Sequence, residues 1–308
     1  MTYFCNEKSP RVRVMIGMDC DRPRGEFITS KEGTTMANRK INSIENISAQ
    51  LSKLNIPRTF FICGSFLESM SSKFGKERMK DAFRIKDNDV EIADHSYSHN
   101  IVKPIVNRPD KIPLTPKEVI DEYNLNTKIF LECFDMDIPN RGYRTPLGHY
   151  HGLSNSELLQ DELANSNILY VSSDLRGSND SLYAPLVEEK NSIRQPYAYY
   201  NGLLEIPSIG WQDVVFSQPD YISKFEELPE DLPKNINEIR DYMHAMINHA
   251  NNISLEKNID FFFGLCLHPY DVSFYDTEQK FFLNLKNIVD EFEGTFCTYK
   301  QVNDYYKQ

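Results

Sequence analysis

The chain has no long apolar run. Its longest, Phe261 to Leu267, is far short of the roughly 20 residues that a bilayer crossing needs, so no membrane span is expected. Dense blocks of lysine and arginine are also missing, and a formal net charge of −11 opposes the phosphates of a nucleic acid. The first ten residues, MTYFCNEKSP, carry neither an apolar core nor a basic leader, so no secretory signal is expected and the cytoplasm is the favoured location. No two of the six cysteines (Cys5, Cys20, Cys63, Cys133, Cys266 and Cys297) stand at CxxC spacing. Free thiols in a reducing compartment are therefore expected rather than disulfides, with Cys20 and Cys266 read as small buried apolar side chains. There is no Pro/Gly/Ser-rich linker, no internal repeat and no low-complexity segment, so residues 1–308 are read as one domain. With 40% hydrophobic content that length supports a sizeable core.

What is present alternates between strand-like and helix-like patterns. Arg13 to Met18 reads as a buried strand running into Asp19, and Arg22 to Thr35 as a long polar loop over its end. Ile41, Ile44, Ile47, Leu51 and Leu54 recur at helical spacing, followed by a strand at Arg58 to Cys63. Strand, helix and strand in that order make a parallel βαβ unit. Helix starts are expected at Thr115, Ser154, Asp276 and Thr298, each placed three residues before a Glu or Gln, and a helix is expected over Ile236 to Ile253. Further strands are expected at Val90 to Ala93, Ile138 to Tyr143, Ile168 to Ser172, Leu203 to Ser208, Phe261 to Leu267 and Thr295 to Cys297. Tyr183 to Tyr200 reads as an irregular aromatic excursion. The alternation predicts a closed or nearly closed α/β barrel, whose chemistry sits at the carboxyl ends of the strands.

Two such ends carry the informative residues. Asp19 and Asp21, split by Cys20, follow the first strand, and His95 and His99 follow the strand at Val90. Residues two apart on an extended segment project to the same side, so both carboxylates can share one cavity. Two imidazoles and one carboxylate meet the usual ligand count of a catalytic divalent ion, with the spare carboxylate free to take a proton from water.

With Arg144-Thr145-Pro146, Leu265-Cys266-Leu267-His268, Thr59 to Gly64 and Glu205-Ile206-Pro207 added, the chain resembles the NodB-homology polysaccharide deacetylases, carbohydrate esterase family four. The likeness runs over most of the length. It implies a distorted, incomplete (β/α) TIM-like barrel, a glycan or amino-sugar substrate, and a bound divalent metal, zinc first with cobalt, nickel, manganese or iron as alternatives. Carried over residue by residue, Asp19 is the general base, Asp21, His95 and His99 the metal ligands, Arg144 the holder of the base, and His268 the general acid. The N–H of Leu147 falls where the family builds part of an oxyanion hole. The family's first motif usually has adjacent aspartates, so the intervening Cys20 leaves base and ligand exchangeable, with Asp19 favoured as base. Its fourth motif supplies an Asp that orients the acid histidine; Asp174 is the candidate, and Trp211 is the candidate wall of the substrate pocket.

The resulting expectation is a metal-dependent hydrolase that deacylates an N-acylated sugar. The alternatives are an inactive carbohydrate-binding relative, a deformylase or cyclic-amide hydrolase of the same superfamily, and, more remotely, a non-haem iron oxygenase, since two histidines and a carboxylate also form its facial triad. His149, His151, His244 and His249 are left outside the site as structural or exposed histidines. Substrate, metal and oligomeric state stay open.

Overall fold

The computed structural model describes residues 10–106, 108–135, 142–188, 191–216 and 232–307. Its first strand, β1 (Val12–Cys20), is buried almost throughout because it is covered on both faces. Val12, Val14, Ile16, Met18 and Cys20 join the large apolar cluster under the helices. The intervening Met15 packs instead with Phe61, Ala93, Tyr170, Ile206 and Tyr299, so Gly17 and Asp19 follow it onto the inner face.

Around β1 lie β2 (Arg58–Ile62), β3 (Val90–Asp94), β4 (Gly142–His149), β5 (Tyr170–Asp174), β6 (Tyr197–Ala198), β7 (Leu204–Glu205), β8 (Phe261–Leu267) and β9 (Thr295–Cys297). They form one curled sheet in the order β6-β7-β5-β4-β3-β2-β1-β8, with β9 also paired to β1. Only β6 and β7 pair antiparallel. The barrel is incomplete, as expected. At its seam the extended segment after β7 replaces a ladder, touching β8 through Ile209 N–H to the Gly264 carbonyl at 2.9 Å. A side chain at Gly264 would stand 2.5 Å from the Pro207 carbonyl oxygen, so only glycine permits that approach.

Among the described residues the α-helices are α1 (Lys31–Lys53), α2 (Gly64–Phe74), α3 (Lys76–Phe83), α4 (Pro116–Phe134), α5 (Glu157–Asn165), α6 (Ile236–Lys257), α7 (Pro269–Tyr275), α8 (Phe281–Glu291) and α9 (Tyr299–Tyr306). Capping boxes at Thr115/Glu118 and Thr298/Gln301 start α4 and α9 as their sequences announce. Helix α1 begins well before its isoleucine stripe, inside the expected loop. Its first turns bury only Gly33, against which the backbone of Phe27 lies, and Ala37, and such small residues give no apolar period. Asp276 does not start a helix: it closes α7, and its Oδ2 accepts from the N–H of Phe281 at 2.6 Å. The residue before α5 is Ser156, not Ser154, and its side chain makes no cap bond. Helices α2 and α3 were not foreseen, and the expected strand at Leu203 to Ser208 pairs only over Leu204–Glu205. Most of Ile138 to Tyr143 lies outside the described residues. Among those described, no helix is long and apolar enough to cross a membrane.

Glu91 fastens the lower half of the barrel. Its buried carboxylate accepts from Thr59 Oγ1 at 2.8 Å, Tyr170 Oη at 2.6 Å and the N–H of Lys300 at 2.8 Å, joining β2, β5 and α9. Replacing Glu91 by alanine orphans three buried donors and is expected to cost roughly 2 kcal/mol or more. Urea unfolding checks this; an unchanged midpoint would mean that the donors find other acceptors.

Candidate active site

Inner-face geometry brings Asp19 to the mouth of the barrel, where Arg144 from β4 donates through Nη1 to its Oδ1 at 2.7 Å. Both side chains are buried. The guanidinium lies with Cζ 3.9 Å from the Phe61 ring centre and 5.0 Å from that of Tyr299, while Nη2 donates to Tyr299 Oη at 2.7 Å. Gly17 makes room: a Cβ there would stand 2.6 Å from Arg144 Nη2. Cys266, read from sequence as an apolar filler, points its thiol at Asp19 Oδ2 at 3.3 Å. Burial raises the Asp19 pKa, but the charge of Arg144, helped by His95 and His268, outweighs it and holds the carboxyl below its ordinary value.

His95 and His99 leave the end of β3 on a loop that α4 holds. Glu122 accepts from the N–H groups of Tyr97 and Ser98, and Asn126, one turn on, donates to Asp94 Oδ2 at 2.7 Å and to the carbonyl of Ser96 at 3.2 Å. The two imidazoles stand 4.9 Å apart, ring centre to ring centre. His95 Nδ1 meets the Arg144 carbonyl at 3.0 Å, and its Nε2 lies 3.6 Å from Asp19 Oδ2. His99 Nε2 lies 3.6 Å from Asp21 Oδ2. Burial lowers the pKa of both, that of His99 to about 3, so they are neutral with lone pairs available. Burial also opposes ionisation of Asp21, yet His99 and Lys40 outweigh it and keep its carboxyl well below the usual range.

The donor chemistry of Asp21, His95 and His99 suits a divalent ion, and one of their spacings does, while the three ligand atoms do not all lie within 4.8 Å of one another. Two ligands at about 2.0–2.2 Å from one tetrahedral centre stand about 3.3–3.6 Å apart, close to the Asp21–His99 separation of 3.6 Å. Two other sets of ligand-type atoms, Asp213/His268/Asp271 and His151/Asp174/Glu188, converge more tightly, within 4.8 Å. In the first, His268 Nδ1 is already engaged by Asp213 at 2.7 Å, and the second is threaded by Arg194, 2.5 Å from Asp174 and 3.2 Å from Glu188.

His268, at the end of β8, puts Nε2 3.9 Å from Asp21 Oδ1. Its Nδ1 is 2.7 Å from Asp213 Oδ2. Burial on its own would lower its pKa, but the hydrogen bond and charge of Asp213, with Asp21 and Asp271, push it up to about 10, so the ring is cationic at neutral pH. Asp174 is therefore not the partner of His268. It ends β5 beside Arg194, and burial, with Glu205 and Glu188 outweighing part of Arg194, raises its pKa to about 8. Asp213, two residues after the lone tryptophan, was missed; Trp211-Gln212-Asp213 sets the pair in reverse order, the one sequence sign that would have found it.

Leu147 has φ of 62° and lies in the irregular part of β4 between the ladder positions of Arg144 and His149. Trp211 is half-buried, with its ring 4.8 Å from that of Tyr183. His149 is buried and held neutral, its pKa lowered by burial to about 3. His151 is exposed beside Glu188, His244 is half-buried beside Glu291, and His249 is exposed on α6.

Residues 41–165 match the family model described as polysaccharide deacetylase. That span contains His95, His99 and Arg144 but neither aspartate of the first motif nor His268. No curated protein sequence matches the chain. Among solved structures, a Mycobacterium smegmatis protein named as a polysaccharide deacetylase is similar at 16% identity and a TM-score of 0.57, over 98% of this chain and 92% of that one. A Pseudomonas aeruginosa PAO1 protein named likewise matches at 12% identity and a TM-score of 0.59, over 96% and 91%. A CE4 esterase of Streptococcus mutans matches at 13% and 0.52, over 95% and 87%. The family match and the shared fold bear out the resemblance to the NodB-homology deacetylases and their incomplete α/β barrel.

The partner of His268 is directly testable. In Asp213→Asn the His268 imidazole should titrate lower by roughly one unit or more, whereas Asp174→Asn should leave it unmoved. Proton-detected titration of the ring reads both, and the reverse pattern would return the orienting role to Asp174.

Proposed function

We propose that the chain is one metal-dependent hydrolase domain that removes an acetyl or related acyl group from an N-acylated sugar or glycan. The observation that carries this reading is the meeting, at one barrel mouth, of the Arg144-clamped Asp19, neutral His95 and His99 beside ionised Asp21, and cationic His268 backed by Asp213. Five free, buried cysteines support a reducing, cytoplasmic setting.

In this reading Asp21, His95 and His99 hold a divalent ion, zinc first, which when bound lowers the pKa of water and polarises the acyl oxygen. Asp19 takes the proton of the attacking water, since it is ionised and its orientation is fixed by Arg144. The N–H of Leu147 donates to the developing oxyanion. His268 then gives its Nε2 proton to the leaving amine, which departs poorly as an anion; Asp213 keeps that proton in place until it is needed. Trp211 walls the sugar pocket. Two carboxylates thus have opposite duties: Asp19 must be ionised to accept a proton, and Asp213 must be ionised so that His268 has one to give.

Replacing both His95 and His99 by alanine is expected to lower bound metal by a factor on the order of ten or more, measured by elemental analysis. Asp19→Asn should keep the metal and lose turnover of an N-acetyl sugar by on the order of a hundredfold, because an amide cannot accept the proton. Metal retained by the double variant would move the site elsewhere. Metal lost in Asp19→Asn but kept in Asp21→Asn would exchange the two aspartates.

A further inference from the structure

Three cations that this chemistry does not use crowd Asp21. Arg22 brings Nε to 3.6 Å from Oδ2, Lys40 brings Nζ to 3.9 Å from Oδ1, and Arg24 stands 4.0 Å from Oδ2 while donating to the Asp21 carbonyl at 2.6 Å. Two come from the turn after β1 and one from α1. Asp21 already faces the cationic His268, so charge neutralisation alone does not call for all three.

The local balance runs against that of the whole molecule. Four lysine and arginine cations (Arg22, Arg24, Lys40 and Arg144) meet four aspartates (Asp19, Asp21, Asp213 and Asp271), in a chain whose net charge is −11. Of the carboxylates around the histidine loop, Glu68 is engaged by Tyr97, Glu122 by Ser98, and Asp94 by Ser96 N–H and Asn126. A divalent ion at Asp21 makes the mouth positive. Such a patch draws anions in and holds them where they lose water.

Resting on the deacylase reading, we propose that the substrate is an N-acylated sugar bearing an anionic group, carboxylate or phosphate, bound by Arg22, Arg24 and Lys40. Guanidinium forks suit both anions, which they can grip with two parallel hydrogen bonds. Arg22 is 53% exposed along its side chain, so it can turn from Asp21 toward an arriving anion. Lys40 is held further in at 15%, with Nζ 5.4 Å from the centre of the Tyr270 ring, and that ring offers an apolar face for a sugar beside the charge. A neutral oligosaccharide would offer these cations only hydroxyl and amide oxygens, which they bind less strongly than a carboxylate or phosphate.

The test compares an N-acetylglucosamine oligomer with N-acetylmuramic acid and N-acetylglucosamine 1-phosphate. Each is assayed for acetate release by the metal-loaded enzyme and for binding to metal-loaded Asp19→Asn by calorimetry. At least one anionic probe should exceed the neutral one by about tenfold in kcat/KM and in affinity, an advantage that fades as salt is raised. Whether carboxylate or phosphate leads identifies the anion. In Arg22→Gln and Lys40→Gln the anionic-to-neutral ratio should fall at least severalfold. Equal or better binding of the neutral probe overturns the proposal, as does an advantage that survives in both variants. Preferential anion binding without acetate release from any probe would instead overturn the deacetylase reading while upholding the anion site.

Discussion

A single buried ion pair, Arg144 with Asp19, sets what the rest of the barrel must supply. Taking two charges out of water costs several kcal/mol per ion, and the pair survives only if its remaining hydrogen-bonding capacity is met. Here Nη1 goes to Asp19, Nη2 to Tyr299, and Ser172 Oγ lies 3.3 Å from both Nε and Nη2. The flat faces of the cation lie against Phe61 and Tyr299. Those residues come from β1, β2, β4, β5 and α9, so most of the sheet and the last helix are committed to one guanidinium. The capping box at Thr298 consequently matters at the site, because it fixes the first turn of α9 and with it Tyr299.

A second constraint is the histidine loop, whose backbone is not regular. Ser96 and His99 have φ of 61° and 60°, a region that residues with a side chain enter at a cost. The loop keeps this shape because its polar groups are answered: Ser96 N–H donates to Asp94 Oδ1 at 2.6 Å, His99 N–H to Ser96 Oγ at 3.0 Å, the Tyr97 and Ser98 N–H groups to Glu122, and the carbonyls of Ser96 and Tyr97 accept from Asn126 and Ser65. Glu122 and Asn126 are four apart on α4 and so face the same way. A Cβ on Gly64 would stand 2.1 Å from Asn126 Oδ1, which shows how closely α2 is packed on the same anchor.

Much of this was legible in the sequence where one local signal sufficed. The apolar run of β1, the isoleucine stripe of α1, and the capping boxes of α4 and α9 each encode their element within a few residues. The residues proposed from strand ends and resemblance, Asp19, Asp21, His95, His99, Arg144 and His268, stand near one another in the structure. What stayed hidden depends on contacts distant in sequence. Helix α1 begins early because Phe27 folds back on Gly33, and Cys266 reads as apolar until Asp19 is found opposite its thiol. Glu122 and Asn126 look like ordinary polar residues of a helix surface.

Asp213 and Asp174 show the same limit most clearly. Both follow residues of a kind that a sequence motif would accept, and Asp174 even ends a strand, where α/β barrels place their chemistry. The chain between them decides against it: β5 lies near one end of the path β6-β7-β5-β4-β3-β2-β1-β8 and His268 follows β8 at the other, and the stretch after β7 runs between the two, bonded to the Asp174 carbonyl through Ser208. In a fully laddered barrel the two ends would be joined by strand pairing. Here the join is the extended stretch through Ile209, bonded to Gly264, which delivers the short helical turn Gln212–Phe216 beside β8. The seam that leaves the barrel incomplete is thus the feature that carries Asp213 to His268. Asp174 borders the same stretch from the β5 side, its carbonyl accepting from the Ser208 N–H at 3.1 Å, and its carboxylate is engaged by buried Arg194 instead.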